Sequence, residues 1–151
     1  MRLLMKNNYR TWNGSWKNIS GLEINLVLFG EIFLEVLRKY REDKLASLDI
    51  HGIFPLWKRD SRELARSLNR LGFKAITTCV DTQSLGKQVV GRQIDEQFLS
   101  ELAAAVDPCG ENGEYHSFIY AGPTFKESVV FTPGEVVLRE NRFFYCDLIH
   151  A

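Results

Sequence analysis

Several residue types and patterns are scarce in this sequence of 151 residues, and each scarcity narrows the class of protein. There are three cysteines, Cys79, Cys109 and Cys146. An odd number of widely separated thiols argues against a disulfide framework or a zinc site, and predicts no metal centre. Lys plus Arg and Asp plus Glu are equal at 19 each, so the net charge does not favour nucleic acid or an anionic membrane as a partner.

Long apolar runs are also missing. No stretch approaches the roughly 20 apolar residues that a transmembrane helix needs, and the apolar part of Met1–Lys6 is too short for a signal peptide. We therefore expect a cytoplasmic protein with reduced thiols. The hydrophobic fraction of 45% and the charged fraction of 25% are typical of one globular domain with a packed core.

From Leu22 onward the pattern predicts alternating strands and helices. Apolar runs of strand length and helical stripes with capping residues follow one another. The order strand, helix, strand, helix implies right-handed βαβ units on a parallel sheet. The predicted elements are a buried strand at Ile24–Phe29, a helix from about Glu31 to Leu45, an extended segment at Ile53–Trp57, a helix from Asp60 to Leu71, a buried strand at Ala75–Val80, and a helix from Asp95 to about Ala105.

The C-terminal part has a different pattern. Three strands are predicted at Tyr115–Tyr120, Glu135–Arg139 and Arg142–Leu148, with a type II turn at Pro133-Gly134 and a tight hairpin at Glu140-Asn141. The predicted fold class is α/β, with a partial parallel sheet and flanking helices followed by a small β-rich C-terminal region. Residues 1–21 show no period and are interpreted as a loop or frayed N-terminal extension, separate from the domain predicted over residues 22–151.

The densest cluster of reactive and flexible residues lies between the last predicted helix and the first strand of this β-rich region. Gly110 and Gly113 allow peptide groups to approach a ligand closely. Glu111 and Glu114 suit a metal ion or a cationic nitrogen, and His116 suits proton transfer. The alternative is an ordinary polar turn, since Asn-Gly is a favoured turn pair.

Two further positions are open to both functional and structural interpretations. Cys109 is a possible nucleophile, but no base is placed beside it, and inert packing is the simpler interpretation. Gly30 and Glu31 follow a predicted strand at its carboxyl end, where ligands of open α/β sheets bind. A glycine there also serves as a plain turn.

These motifs, taken together and in order, resemble the diphthine–ammonia ligase family of adenine nucleotide alpha hydrolase-like proteins. The resemblance extends from about Leu22 to Leu148, and the Cys-Gly-Glu-Asn-Gly-Glu run is its most specific part. The matching stretches are Phe29–Glu35, Phe54–Asp60, Leu71–Ala75, Val80-Asp81, Gly91-Arg92, Asp107–His116 and Gly122-Pro123.

The resemblance implies an ATP-dependent ligase that adenylates the carboxylate of diphthine, a modified histidine of elongation factor 2. Ammonia then displaces AMP to form the amide. ATP, together with Mg²⁺, would be the cofactor. The residues implied are Glu111, Glu114 and His116 as catalytic, Cys109, Gly110, Asn112, Gly113, Arg59 and Arg92 as substrate-binding, and Gly30 and Glu31 as cofactor-binding. Independently of the resemblance, the predicted strand Ile24–Phe29 would have an exposed edge or face if other strands of the sheet are missing, so a homo-oligomer is expected.

The sequence departs from the family pattern in two main places. The phosphate-binding loop Ser-Gly-Gly-Lys-Asp-Ser has no counterpart, since Ser20–Glu23 lacks the second glycine, the lysine and the second serine. Asn112 and His116 replace a glycine and a glutamate of the family motif, as in bacterial relatives, for which the acceptor substrate is an open question. A smaller change is Glu31, which stands where the family usually has Asp. We therefore expect the C-terminal half of such an enzyme, inactive alone. The alternative is a truncated non-catalytic remnant or a binding module.

Overall fold

The computed structural model describes residues 25–150. The predicted extension at residues 1–21 lies outside them, and the boundary at residue 22 stays a prediction. The chain divides into two compact units, whose described parts are residues 25–59, here the N-terminal unit, and residues 60–150, here the C-terminal unit. Among residues 25–150, the helices are all too short or too polar to cross a membrane.

The N-terminal unit is a small βαβ arrangement. Strand β1 (Leu26–Leu28) pairs in parallel with strand β2 (His51–Ile53), and helix α1 (Glu35–Ala46) connects them. Two parallel strands need such a crossover because a short turn cannot bring them side by side. The core is formed by Phe29, Leu45 and Ile50. The predicted parallel pairing is thus confirmed, in a sheet of two strands.

Helix α1 differs from its predicted extent. It begins four residues later than expected, because the carbonyl of Ile32 accepts the N–H of Lys58 (2.6 Å) instead of a helical partner. The first helical bond runs from the N–H of Arg38 to the carbonyl of Leu34 (3.0 Å). In the sequence, one apolar helix face is predicted from residues at helical spacing, namely Ile32, Phe33, Val36, Leu37 and Tyr40. Val36 is 87% exposed, so this prediction is wrong at Val36.

Strand β1 also departs from the expected buried strand. Leu26 and Leu28 are exposed, Val27 is half-buried, and Phe29 just beyond the strand is buried. Only one side of the strand therefore contributes to the core of the N-terminal unit.

The C-terminal unit is built on a four-stranded antiparallel sheet with strand order β4-β3-β6-β5. Its helices are α2 (Ser61–Arg70) and α3 (Glu96–Glu101), with a 3-10 turn at Lys87–Val89. Its strands are β3 (Lys74–Asp81), β4 (Tyr115–Ala121), β5 (Phe131–Arg139) and β6 (Phe143–His150).

The pairing of β3 corrects one prediction. The sequence predicted that Ala75–Val80 would continue a parallel sheet, but β3 lies between β4 and β6 and is antiparallel to both. Val80 is fully buried and pairs with Tyr115 on one side and Phe144 on the other. Strand β3 is apolar because it is central in the antiparallel sheet. The mixed α/β class with a β-rich C-terminal region is confirmed.

The predicted helix boundaries of the C-terminal unit are confirmed at their caps. The carboxylate of Asp60 accepts the N–H of Glu63 (2.7 Å), and that of Asp95 accepts the N–H of Phe98 (2.8 Å). Gly72 has φ 85°, and the N–H of Phe73 bonds to the carbonyl of Leu68 (3.1 Å), as in a Schellman motif. Helix α3 ends at Glu101, however, earlier than the expected Ala105.

The two predicted turns have different outcomes. At Glu140 and Asn141 both φ angles are positive, 54° and 50°, and Arg142 N–H bonds to the carbonyl of Arg139 (3.1 Å), so the tight hairpin is confirmed. Pro133 and Gly134 form no turn. They lie inside β5, where the register shifts between Pro133 and Val136. A β-bulge accommodates the proline there.

Candidate functional site

The loop between α3 and β4 is held together by Asp107. Its carboxylate Oδ1 accepts the N–H groups of Cys109 (2.9 Å) and Glu111 (3.2 Å). Its carbonyl accepts the N–H of Gly110 (2.9 Å), and the carbonyl of Gly110 in turn accepts the N–H of Gly113 (3.1 Å). An aspartate that bonds to successive backbone N–H groups fixes a tight turn. The sequence 107–113 therefore folds locally, with its own residues as partners.

Both glycines of this loop are required by its backbone. Gly110 has φ 67° and Gly113 has φ 90°, in the left-handed region that disfavours other residues. A Cβ atom on Gly110 would lie 2.8 Å from the carbonyl oxygen of Tyr115. The predicted conformational role of the two glycines is therefore confirmed, whereas ligand binding by them stays a prediction.

Glu114 is the most unusual side chain of the loop, because it is charged in type and only 5% exposed. Its Oε1 accepts the backbone N–H of Asp107 (2.8 Å) and the side-chain amide of Asn112 (3.0 Å). Its Oε2 is buried and has no hydrogen-bond partner within the described part of the chain. A buried polar atom without a partner costs stability and calls for an explanation.

Glu111 and His116 flank this buried carboxylate and are both half-buried. His116 lies on β4 opposite Cys79. The ladder extends past the strand, since the N–H of Asp81 donates to the carbonyl of Glu114 (2.9 Å). Glu114 directly precedes the first residue of β4, and Tyr115, between Glu114 and His116, packs in the core of the C-terminal unit.

The end of β3 beside Glu114 is fixed by an ion pair. Asp81 is buried, and its carboxylate accepts two guanidinium nitrogens of Arg142, at 3.0 and 2.6 Å. It also accepts the N–H of Gln83 (3.0 Å). Arg142 belongs to the β5–β6 hairpin turn, so this pair ties that turn to the strand that holds Glu114.

Cys109 behaves as a packed thiol. Burial, followed by the charges of Asp107 and Glu111, raises the pKa of Cys109 to about 12. The thiol donates to the carbonyl of Ser61 (3.2 Å). A thiol with a raised pKa is not a nucleophile at neutral pH, which favours inert packing. Tyr115 is similar: burial raises its pKa, and its hydroxyl donates to the carbonyl of Pro108 (2.6 Å).

A cleft of about 340 Å³ opens beside the loop, within the C-terminal unit. The first turn of α2 forms one wall, and Arg62 there donates to the carbonyl of Leu99 (3.1 Å). The sequence analysis did not select Ser61 or Arg62. The sequence signal for this wall of the cleft was the predicted N-cap Asp60, because the N–H groups of a first helical turn have no partner within the helix. The lining residues are Asp60, Ser61, Arg62, Ala104, Ala105, Val106, Asp107, Pro108 and Asn112.

The remaining predicted site residues lie elsewhere. Arg92 is half-buried in an ion pair with Glu101 (2.6 Å) and lies over the ring of Phe98 (5.6 Å), and it does not line the cleft. Arg59 is exposed at the end of the N-terminal unit. The structure therefore brings Cys109 to Gly113, Glu114 and His116 together in one region of the C-terminal unit, whereas Arg92 of the same unit is engaged by Glu101 and Phe98. Arg59 belongs to the N-terminal unit, and its role in substrate binding stays a prediction.

Gly30 and Glu31 follow β1 in the N-terminal unit. Gly30 is exposed, whereas Glu31 is buried and paired with the guanidinium of Arg41. The second oxygen of Glu31 is buried without a hydrogen-bond partner among the described residues. Arg41 lies over the ring of Phe29 at 4.5 Å. This carboxylate has a structural partner, and its role in holding a cofactor stays a prediction.

Metal binding has little support in residues 25–150. No group of three or more His, Cys, Asp or Glu side chains in that range is arranged to hold a metal ion. Glu111 and Glu114 therefore do not form a complete cation site from this chain's described residues.

Together, the antiparallel sheet, the glycine-containing loop and its buried carboxylate define a class: a mixed α/β protein with a preformed polar loop beside a cleft. Comparison with known proteins gives the family. The chain belongs to the diphthamide synthase C-terminal domain family, whose model matches residues 60–147, more than half of the sequence. The matched range begins at Asp60, so it covers the C-terminal unit and its loop.

Curated relatives agree with this family. Diphthine–ammonia ligase of Mus musculus is 32% identical over 130 residues, 81% of this chain and 48% of the relative. The Homo sapiens enzyme of the same name is 28% identical over 127 residues, 81% and 48% respectively. The Schizosaccharomyces pombe enzyme is 27% identical over 119 residues, 76% and 20% respectively. The chain thus spans about half, or less, of the relatives it matches.

Proposed function

We propose that this chain is the acceptor-side part of an ATP-dependent amide ligase of the diphthine–ammonia ligase type. Two facts support the proposal: membership of the diphthamide synthase C-terminal domain family, and the buried carboxylate of Glu114 with one oxygen lacking a partner among residues 25–150. The second observation carries the proposal, because a turn needs its glycines but does not need a buried charge.

The chemistry that Glu114 offers is attraction of a cationic nitrogen. Its Oε1 is held by Asp107 and Asn112, so the carboxylate cannot rotate freely, and Oε2 keeps its acceptor capacity. Diphthine carries a quaternary ammonium group, and ammonium is the source of the second substrate. Either cation would be attracted by this carboxylate, since a charge fixed in advance needs no reorganisation during reaction.

His116 supplies the proton acceptor in this proposal. When ammonia attacks an activated carboxyl carbon, a C–N bond forms, the C–O bond to the leaving group breaks, and the nitrogen must lose a proton. His116 is half-buried and lies two residues after Glu114, at the start of β4, and an imidazole accepts such a proton near neutral pH. Glu111, less buried than Glu114, would add to the negative potential around the nitrogen.

The described residues do not provide a binding site for the phosphates of ATP. The turn after β1 has one glycine and no lysine, and its carboxylate, Glu31, is buried and ion-paired with Arg41. A phosphate cradle requires several backbone N–H groups at a helix N-terminus, free of a competing carboxylate. We therefore assign no adenylation step to residues 25–150. Recognition of the adenine half near Gly30 and Glu31 stays a prediction.

The proposal is tested in an intact ligase whose C-terminal part is replaced by this chain. Glu114→Gln keeps an oxygen for Asp107 and Asn112 but removes the charge, so we expect the amidation rate to fall roughly a hundredfold or more with an unchanged melting temperature. His116→Ala should lower the amidation rate by a similar factor and change the dependence of that rate on pH. Glu111→Gln, on a less buried side chain, is the matched control with a smaller loss. Full activity of Glu114→Gln would refute the proposal.

The second candidate is a non-catalytic binding module, favoured by the lack of a phosphate cradle in the described turn after β1, where Glu31 is ion-paired with Arg41. The activity of the chimaeric ligase separates the two, and calorimetry of the chain with ATP and magnesium tests whether the described residues lack a phosphate cradle. We expect weak binding of ATP or none, because the phosphates find no cradle. If a chimaera is inactive although it folds and binds ATP, the binding module is the better assignment. Low-micromolar ATP binding by the chain itself would contradict our assignment of residues.

A further inference from the structure

The cleft beside the loop 107–113 is lined by carboxylate oxygens that can still accept hydrogen bonds. Asp60 uses one oxygen for the N–H of Glu63, and Asp107 uses one for two N–H groups of the loop. The second oxygen of each carboxylate accepts no hydrogen bond within residues 25–150. The cleft therefore offers acceptor atoms to a ligand that donates hydrogen bonds.

Asn112, which also lines the cleft, adds an acceptor whose orientation is fixed by its neighbour. Its side-chain nitrogen donates to the carboxylate of Glu114 (3.0 Å), and an ionised carboxylate only accepts. The nitrogen of the amide therefore faces Glu114, and the carbonyl oxygen is left for another partner. That oxygen accepts no hydrogen bond within the described part of the chain, and Asn112 is exposed.

Glu114 strengthens this acceptor from behind the lining of the cleft. The buried carboxylate is held by two neutral donors, the N–H of Asp107 and the amide of Asn112, so its charge is not cancelled. Hydrogen bonds in a chain polarise one another. The amide of Asn112 therefore passes part of the negative charge of Glu114 to its own carbonyl oxygen, which favours a cation that donates hydrogen bonds.

The composition of the lining distinguishes two kinds of cationic nitrogen. Ammonium has N–H groups that bind oxygen acceptors, whereas a quaternary ammonium has none and is recognised by the faces of aromatic rings. Among residues 25–150, those that line the cleft include no aromatic side chain. The guanidinium of Arg62, also in the lining, donates to the carbonyl of Leu99 (3.1 Å) and is thereby drawn toward α3. The lining therefore suits ammonium and not a quaternary ammonium.

We propose that the cleft binds the amine substrate as ammonium, and that Asn112 is the residue that recognises it. Ammonium donates to the carbonyl oxygen of Asn112 and to the carboxylates of Asp60 and Asp107. This inference rests on the proposed function, in which ammonia attacks an activated carboxyl carbon. It deepens that function by assigning the cleft to the nitrogen donor, so that the quaternary ammonium of the acceptor is held by other residues.

Binding is measured on the chain itself by NMR, near neutral pH, as ammonium chloride is added to about 100 mM. Sodium chloride and tetramethylammonium chloride at the same concentrations are the comparisons. We expect saturable shifts of the side-chain amide of Asn112 and the backbone amide of Gly113 with ammonium alone. The dissociation constant should be roughly 1–10 mM, because a small ion makes few contacts. Equal shifts with sodium or with tetramethylammonium would overturn the proposal.

Two variants of the cleft and one matched control sharpen this test. Asn112→Ala removes the acceptor and should weaken ammonium binding roughly tenfold or more. Asp60→Asn keeps a capping oxygen for α2 but removes a carboxylate from the cleft, so binding should weaken about threefold in a normally folded chain. Gln97→Ala should change nothing, because that amide also donates to a glutamate (2.8 Å) but lies exposed on α3. Unchanged binding in both cleft variants would contradict the proposal.

Rate measurements in the chimaeric ligase separate this inference from the proposed function. Asn112→Ala should raise the KM for ammonium roughly tenfold and leave the KM for the acceptor unchanged. If the chain binds ammonium as described but the chimaera is inactive, the assignment of the cleft stands and the proposed function fails. If the chimaera is active and Asn112→Ala raises the KM for the acceptor instead, the proposed function stands and the assignment of the cleft fails.

Discussion

Among residues 25–150, each of the two units buries one glutamate, and the contrast between them separates a structural carboxylate from a candidate functional one. Glu31, in the N-terminal unit, is paired with the guanidinium of Arg41. Glu114, in the C-terminal unit, is held by two neutral donors, the N–H of Asp107 and the amide of Asn112. Neutral donors orient a carboxylate without cancelling its charge, so Glu114 keeps the field that a cationic substrate would recognise.

The largest expected effect is a loss of stability on substitution of Glu31, which tests the comparison of the two buried glutamates. Glu31→Gln removes the charge partner of a buried arginine, and we expect the N-terminal unit to lose about 3 kcal/mol of stability. Glu114→Gln should cost less than about 1 kcal/mol, because the amide oxygen still accepts from Asp107 and Asn112. Hydrogen exchange, measured separately for residues 25–59 and 60–150, compares the two. Equal losses would mean that Glu114 is as structural as Glu31.

A second prediction compares a glycine from each unit. Gly110→Ala should destabilise the C-terminal unit by about 2 kcal/mol, because φ is 67° and the new Cβ atom would lie 2.8 Å from the carbonyl oxygen of Tyr115. Gly30→Ala has nothing within 4 Å of its Cβ position and should change stability by less than about 0.5 kcal/mol. Thermal melts of both variants give the comparison, and a neutral Gly110→Ala would contradict the loop geometry.

Alkaline pH should act on the C-terminal unit through Cys109 and Tyr115. Burial raises both pKa values, that of Cys109 from 9.0 to about 12. Because the unfolded chain loses these protons first, stability is intact below about pH 9 and falls as the pH rises toward 12, by about 1 kcal/mol per pH unit for each group. Urea unfolding across this range measures the slope. Cys109→Ala should reduce it, and an unchanged slope would argue against a buried thiol.

The smallest expected effect concerns helix capping. Asp60 caps α2 through the N–H of Glu63, whereas Leu34 at the start of α1 forms no side-chain cap. Asp60→Ala should therefore cost the C-terminal unit roughly 1 kcal/mol. Asp60→Ser keeps a capping oxygen and should be nearly neutral. Circular dichroism melts distinguish them, and equal behaviour of the two variants would show that the cap contributes little.

Local signals in the sequence predicted local structure well. Asp60 and Asp95 were expected at helix starts and Leu71 at a helix end, and they lie there, because caps depend on a few neighbouring residues. Glu140 and Asn141 form the expected hairpin for the same reason. Pro133 and Gly134 were misassigned, since a turn pair and a β-bulge use the same residue types.

Structure that depends on distant residues was less accessible. The apolar run of β3 fits a central strand of either kind of sheet, and only its pairing with β4 and β6 decides between them. At the loop, the residue types were predicted correctly as a cluster, but the greater burial of Glu114 over Glu111 was not. That difference arises from bonds to Asp107 and Asn112, which periodicity does not encode.

The Asn112-Gly113 pair also makes this loop susceptible to a slow chemical modification. Asparagine before glycine is prone to deamidation, in which the following backbone nitrogen attacks the side-chain amide and ammonia departs. Here the N–H of Gly113 is engaged by the carbonyl of Gly110 (3.1 Å), and the Asn112 amide by Glu114 (3.0 Å), so the folded loop restrains both reactants. In the unfolded chain that restraint is gone. Deamidation in the unfolded chain would replace the amide that donates to Glu114 with a carboxylate. Repeated unfolding would therefore lead to chemical damage at the residues that shape the candidate site.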